Sequence, residues 1–264
     1  MTTLYLAWQD HKSRQWFPVG QLDADQSVQP TIYEFSYISG VEDARKAAHF
    51  FPIVGFPELQ ERYQSDDLFP LFRNRVMNAS RPDRPEYLRR LGLDENADEV
   101  TELAMSSGLK HTDNFLVFPP LIAGREGRFT YRCMVHGLRH RERQAILRTE
   151  SLQPGEVLNL YPQTDSPSAT LAIMVSTADG LHIGWLPRYL VDDLQQDGGW
   201  IVDDARAVVV QVNLDAPLSH RLLVDFTGKL PPGFRMEDLP KYQPIAPEAS
   251  YPTNKSSGRN AETV

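Results

Sequence analysis

Arg148 to Leu194, RTESLQPGEVLNLYPQTDSPSATLAIMVSTADGLHIGWLPRYLVDDL, is the stretch whose pattern names an architecture. Pro154-Gly155 marks a turn, after which Val157, Leu158 and Leu160 open a short apolar run. A second run, Leu171 to Val175, follows a loop holding Asp165, Ser166 and Pro167. Short apolar runs bounded by such turn residues predict strands. Asp179-Gly180 sits between Met174-Val175 and the alternating Leu181, Ile183 and Trp185, the strongest hairpin signal in the chain. Pro187 has no amide hydrogen to give a ladder but suits the first turn of a helix. Arg188 to Leu194 is therefore expected to be a short helix with Leu190 and Leu194 on one face.

Working outward, Leu4 to Trp8 alternates weakly, and Trp16 to Leu22 and Tyr33 to Tyr37 follow as further strands of an antiparallel sheet. Helices are predicted over Glu42 to Phe50, within Asp66 to Met77 as a short buried turn, from Pro85 to Gly92, and from Ala97 to Ser107 with Gly108 as its stop. Phe115 to Phe118 is a strand closed by Pro119-Pro120, and Gly124 to Arg128 is too short and charged to cradle a phosphate, so it reads as a linker turn. Beyond the hairpin, Ala207 to Leu214 is β-branched and pairs with Arg221 to Phe226. From Pro240 onward proline, serine and asparagine dominate, and a disordered tail is expected through Val264.

With 264 residues the chain is long enough for one large domain or two small ones. Its lone cysteine, Cys133, excludes an internal disulfide and any multi-cysteine zinc site. No run approaches the roughly 18 apolar residues of a membrane span, and the first residues do not read as a signal peptide. A soluble cytoplasmic protein is expected. The net charge of −8 argues against a protein that coats nucleic acid by charge alone. Locally the balance reverses, because Arg125, Arg128, Arg132, Arg139, Arg141, Arg143 and Arg148 fall in one segment with His136 and His140. That segment is either the solvated face of two strands or a phosphate-contacting surface.

His136 and His140 have metal spacing only on a helix, and in a strand they share a face with Leu138, so no metal site is expected. Ser176 and Ser219 lack a nucleophile context, and His182 with Asp179 reads as a solvent-facing hairpin pair. Asp192-Asp193 and Asp203-Asp204 read as helix-end and surface charge. Trp185, Arg188 and Tyr189 stand apart, because aromatics beside a guanidinium at a hairpin-helix junction suit stacking on unpaired bases. Trp185 alternates with Ile183, which equally suits a core position.

Residues 128–196 resemble the HIRAN domain, a small barrel-like β module of helicase-like repair proteins and stand-alone bacterial chains. The resemblance is carried by Val135-His136-Gly137-Leu138-Arg139-His140, by Pro154-Gly155-Glu156, and by Gly180 followed by Ile183-Gly184-Trp185-Leu186-Pro187. It implies a pocket for the 3′-hydroxyl end of single-stranded DNA. The family's arginine-tyrosine pair falls on Arg139-His140, and its asparagine-proline-tyrosine-aspartate loop on Ser166-Pro167-Ser168-Ala169. The stacking aromatic and the hydroxyl-accepting carboxylate are thus both replaced, which puts end capture by that mechanism in doubt and leaves backbone contacts through Arg139, Arg148 and Arg188.

Residues 4–120 are similar to the N-terminal subdomain of HipA-like kinases, through Leu4-Tyr5-Leu6, Val19-Gly20-Gln21-Leu22, Tyr33-Glu34-Phe35-Ser36-Tyr37, Leu68-Phe69-Pro70-Leu71-Phe72, Leu91-Gly92-Leu93 and Glu102-Leu103-Ala104 with Gly108. The lobe that would carry the kinase chemistry has no counterpart here, and no phosphate-loop motif stands in its place.

The expected architecture is α+β: an N-terminal antiparallel sheet with helices (1–122), a linker (123–127), a small HIRAN-like β-barrel domain with C-terminal strands (128–239), and the tail (240–264). The expected function is a non-catalytic regulatory or antitoxin-like component, without a cofactor, that docks on a HipA-like kinase. Phe69, Phe72, Arg73 and Arg75 would form the docking surface. Arg139, His140, Arg148, Trp185, Arg188 and Tyr189 would contact single-stranded DNA. The alternative is a stand-alone single-strand or DNA-end binding accessory factor in repair or phage defence.

Overall fold

The structure, a computed structural model, describes residues 1–110, 112–164, 171–196 and 199–245. It is α+β and built on two antiparallel sheets. The first has five strands in the order β4-β3-β2-β1-β5, where β1 is Thr2–Gln9, β2 Trp16–Asp25, β3 Ile32–Tyr37, β4 Arg62–Ser65 and β5 Phe115–Phe118. Four helices accompany it: α1 (Gly40–Ala48), α2 (Pro70–Arg73), α3 (Arg84–Arg90) and α4 (Glu99–Ser106). Asp98 caps α4 by accepting from the backbone amides of Val100 and Thr101, which satisfies two of the donors a helix start leaves open.

β1 shows why its alternation is weak. Leu4 and Leu6 face a core shared with Val19, Phe35, Val41, Phe72 and Leu103, whereas Tyr5 and Ala7 face a second core shared with Phe118, Tyr131, Val175 and Phe226. Successive strand residues point to opposite faces, so a strand buried on both reads as a continuous apolar run. The second core extends without a break from the first sheet into the C-terminal half.

There β6 (Arg128–Met134), α5 (Arg143–Glu150), β7 (Val157–Thr164), β8 (Leu171–Ser176), β9 (His182–Trp185) and α6 (Arg188–Val191) follow in order. A two-stranded pair, β10 (Gln195–Gln196) with β11 (Gly199–Trp200), precedes β12 (Asp203–Val212) and β13 (Leu222–Lys229). The main sheet has six strands in the order β6-β13-β12-β7-β8-β9. No ladder closes it into a barrel, but one antiparallel bridge, His136 with Trp185, joins the continuation of β6 to β9 at the opposite edge. The Asp179-Gly180 hairpin is present, with Gly180 at φ +84°. The helix expected over Arg188 to Leu194 is α6 followed by a tight turn at Asp192–Leu194.

Three expectations are corrected. The arginine-rich segment is not simply two strands: β6 ends at Met134, a tight turn occupies Leu138–His140, and α5 follows. Asp193 is not a surface charge, because it is 5% exposed and is held by Lys241 and the Tyr242 hydroxyl. The first residues of the tail are ordered. Pro240–Tyr242 forms a turn, Tyr242 is buried with its ring 4.3 Å from that of Tyr5, and the Ile245 amide donates to the Tyr37 carbonyl at 3.2 Å. Composition hid this, since one buried tyrosine is enough to anchor a proline-rich strap. The rest of the tail, 246–264, lies outside the described residues. Among the described residues no helix is long and apolar enough to cross a membrane.

Candidate nucleic-acid interface

A cleft of about 490 Å³ lies between the two halves. On one side stand the end of α4 and the residues after it, Ser106 to Leu109, with Arg75 and Tyr87. Opposite are β6 and the turn after it, Arg132 to Met134 and His136 to His140, and the turn Leu218–His220 supplies Ser219 and His220. No carboxylate lines it among the described residues.

Local backbone geometry sets this wall. After the bridge to Trp185, Gly137 turns the chain with φ +81°, a conformation a side chain resists. A Cβ here would sit 2.5 Å from the Trp185 ring, so glycine also lets the turn lie flat on the indole. Leu138 then goes inward and Arg139 and His140 outward. Contrary to the strand reading, Leu138–His140 is a tight turn in which Leu138 is buried and His140 exposed.

The charges differ in how far they are already satisfied. Arg132 makes a two-pronged pair with Asp225, at 2.8 and 3.0 Å. Arg75 is buried, donating to the Gly108 carbonyl at 3.0 Å and to Asp113 at 2.7 Å. Arg139 is exposed, and its Nε donates to Nε2 of His140 at 3.0 Å. Among the described residues it has no acidic partner within salt-bridge range, and it lines the cleft.

Three histidines border the space. Burial, with a smaller push from His220, lowers His136 to about 4, so this imidazole is neutral near pH 7. Burial and then Arg90 lower His220, whose Nδ1 lies 3.0 Å from the Ser219 hydroxyl. Below them Cys133 is buried, and burial followed by Asp225 pushes its thiol up to about 12, which makes it a poor nucleophile. Tyr189 closes the floor. Its ring packs 4.9 Å from Phe118 and its hydroxyl is 3.4 Å from that of Ser107.

Of the six residues expected to contact DNA, the structure brings Arg139, His140 and Tyr189 to this cleft. Tyr189 is 7% exposed, so it supports the floor and is not an open stacking surface. Trp185 is half-buried beneath Gly137, with the Arg141 guanidinium 5.1 Å from its ring and His182 edge-on at 4.4 Å. Arg148 lies elsewhere, tying α5 to Glu156 and Asp179 at 3.2 Å each. That contact also takes Asp179 away from His182, which instead meets Arg141 at 2.8 Å. Arg188 is engaged within the fold and lies near Asp192. The loop Ser166-Pro167-Ser168-Ala169 lies outside the described residues.

The expected docking residues divide in the same way. Phe72 is fully buried and belongs to the N-terminal core, and Arg75 lines the cleft. Phe69 is half-buried against Phe56, at 5.1 Å, while Arg73 is exposed and paired with Asp67. Sequence reading missed Ser107, Ser219 and His220 as neighbours of Arg139, because nothing along the chain signals contacts between residues this far apart.

Fold and site together define a two-sheet α+β protein with an arginine- and histidine-lined cleft between its halves. No protein-family model matches the chain, and no curated protein matches it. A crystal structure of a Lactobacillus plantarum protein, determined as a structural genomics target, is similar at 16% identity with a TM-score of 0.29. The match covers 40% of this chain and 100% of that one. A likeness this slight carries no argument about fold or function.

Proposed function

We propose that this chain is a non-catalytic nucleic-acid-binding component that holds single-stranded DNA, or a DNA end, in the cleft between its halves. The observation that carries the reading is Arg139, an exposed arginine that among the described residues has no acidic partner and lines a cleft to which those residues contribute no carboxylate. Phosphate contacts come chiefly from such arginines. The His136–Trp185 bridge, which draws the two edges of the six-stranded sheet together, supports the HIRAN-like barrel reading of residues 128–196. The raised Cys133 thiol argues against a cysteine nucleophile at the cleft floor.

The test is fluorescence anisotropy of a labelled single-stranded oligonucleotide across a salt series. Binding falls as salt rises, and Arg139→Ala both weakens it and reduces the salt slope by about 1. Absence of binding at low salt contradicts the reading.

A second reading, a regulatory component that docks on a HipA-like kinase, is favoured by a different surface from the one first expected. Phe51 and Val54 are 81% and 99% exposed. Phe51 precedes, and Val54 lies in, a turn held by the Tyr37 hydroxyl, which accepts from the Ile53 amide at 2.8 Å and donates to the Phe56 carbonyl at 2.7 Å. Co-purification with a HipA-like kinase tests it. Phe51→Ser with Val54→Ser should abolish association without changing the melting temperature, and unchanged association contradicts docking there.

A further inference from the structure

We propose that the cleft selects a terminal phosphomonoester, the phosphorylated end of a strand, over a hydroxyl end or a continuous backbone. This rests on the nucleic-acid reading above and adds which chemical group is recognised.

The first argument is shape. The segment Ser106 to Leu109 forms one wall, the turn Leu138–His140 packs against the turn Leu218–His220 to form another, and Tyr87 also lines the space. Cys133, Met134 and Tyr189, all buried, make the floor. With buried side chains beneath, a chain end can reach into the cleft directly, whereas a continuous backbone has to kink to reach the same depth.

The second argument is the set of groups offered. Recognition of a hydroxyl end is strengthened by an acceptor for its proton, and a carboxylate is the strongest acceptor a side chain provides. None lines the cleft among the described residues. Donors are present instead: the Arg139 guanidinium, the hydroxyls of Ser107 and Ser219, and the imidazoles of His140 and His220.

Charge is the third argument. A phosphomonoester carries about −1.5 to −2 near neutral pH and three strong acceptor oxygens, while a diester in the backbone carries a single charge. Arg132 and Arg75 already answer to Asp225 and Asp113, so they add little net attraction. Arg139 does not, and a guanidinium is the side chain best shaped for a phosphate with free oxygens. The neighbouring Ser219 hydroxyl can donate to the same group once it turns from His220.

The experiment uses the full chain and oligonucleotides of one sequence in three forms: both ends hydroxyl, 3′-phosphate, and 5′-phosphate. Anisotropy at fixed salt should show one phosphorylated form binding tenfold or more tightly than the hydroxyl form, about 1.4 kcal/mol, and the tighter form identifies the end. Arg139→Ala and Ser219→Ala should each shrink that preference at an unchanged melting temperature. Arg81→Ala, an exposed arginine that does not line the cleft and is paired with Asp83, should leave it intact. Equal binding of all three forms overturns the inference while the nucleic-acid reading stands, and so does tighter binding of the hydroxyl form. No binding of any form overturns both.

Discussion

His136 and Trp185 exchange two backbone hydrogen bonds, each N–H donating to the other's carbonyl at 2.9 Å, and this single pair joins the first and last strands of the six-stranded sheet. The pair forms only because Gly184 lets the strands approach. A Cβ there would lie 2.4 Å from the His136 carbonyl oxygen, which is backbone and unable to swing aside. Gly184→Ala is therefore expected to cost about 1 to 3 kcal/mol, the range of an overpacked interior. It should also weaken binding, since the turn carrying Arg139 hangs from this bridge. Chemical denaturation measures the first effect and anisotropy the second, and an unaltered midpoint would show that the bridge is dispensable.

Phe72 is fully buried with its ring 5.9 Å from Phe35. Phe72→Ala should lower stability by about 3 to 5 kcal/mol, as for large aromatic deletions in packed cores. If the midpoint stays put while association with a partner is lost, Phe72 belongs to an interface after all.

Two groups titrate in opposite senses. Burial raises the Asp192 carboxyl from 3.8 to about 6, although Arg188 and Lys241 pull it down. A carboxyl that holds its proton more tightly when folded stabilises the fold below about pH 4, and that contribution is lost as pH rises through about 6. His136 is lowered from 6.5 to about 4, so its contribution is intact above 6.5 and lost as pH falls toward 4. The slopes oppose each other in one window, and single variants separate them. Asp192→Asn should raise the melting temperature at pH 8 relative to wild type and change it little at pH 4. His136→Asn should flatten the loss below pH 6.5. The reverse order of effects would contradict both assignments.

Cys133 should resist thiol reagents in the folded protein and react on unfolding, because burial keeps it protonated and covered. Colorimetric thiol titration with and without denaturant reads this. Prompt reaction of the native protein would mean that the cleft floor is open.

Much of the fold was legible. The runs at Tyr33 to Tyr37, Phe115 to Phe118 and Leu171 to Val175 became strands because their apolar side chains have a core on at least one face, and Asp179-Gly180 turned where a hairpin needs a positive φ. Helix α5 was missed, because its apolar residues, Ala145, Ile146 and Leu147, are consecutive and show no helical spacing. Asp193 was misread for a related reason: its partners Lys241 and Tyr242 are about fifty residues away, and adjacency along the chain says nothing of them. The site was legible only in part. Arg139 and His140 stood out locally, but the wall opposite them comes from α4 and its exit, and only the shared core brings the two together.

The cleft can be watched through its own imidazoles. Among the described residues His136, His140 and His220 border it, while His11 and His49 do not line it. Histidine ring resonances, assigned by single substitution and followed while an unlabelled single-stranded oligonucleotide is added, report where the strand sits. The His140 and His220 signals should shift in step with binding, with those of His11 and His49 unmoved. Saturable binding that leaves the His140 and His220 signals in place would contradict the cleft as the nucleic-acid site.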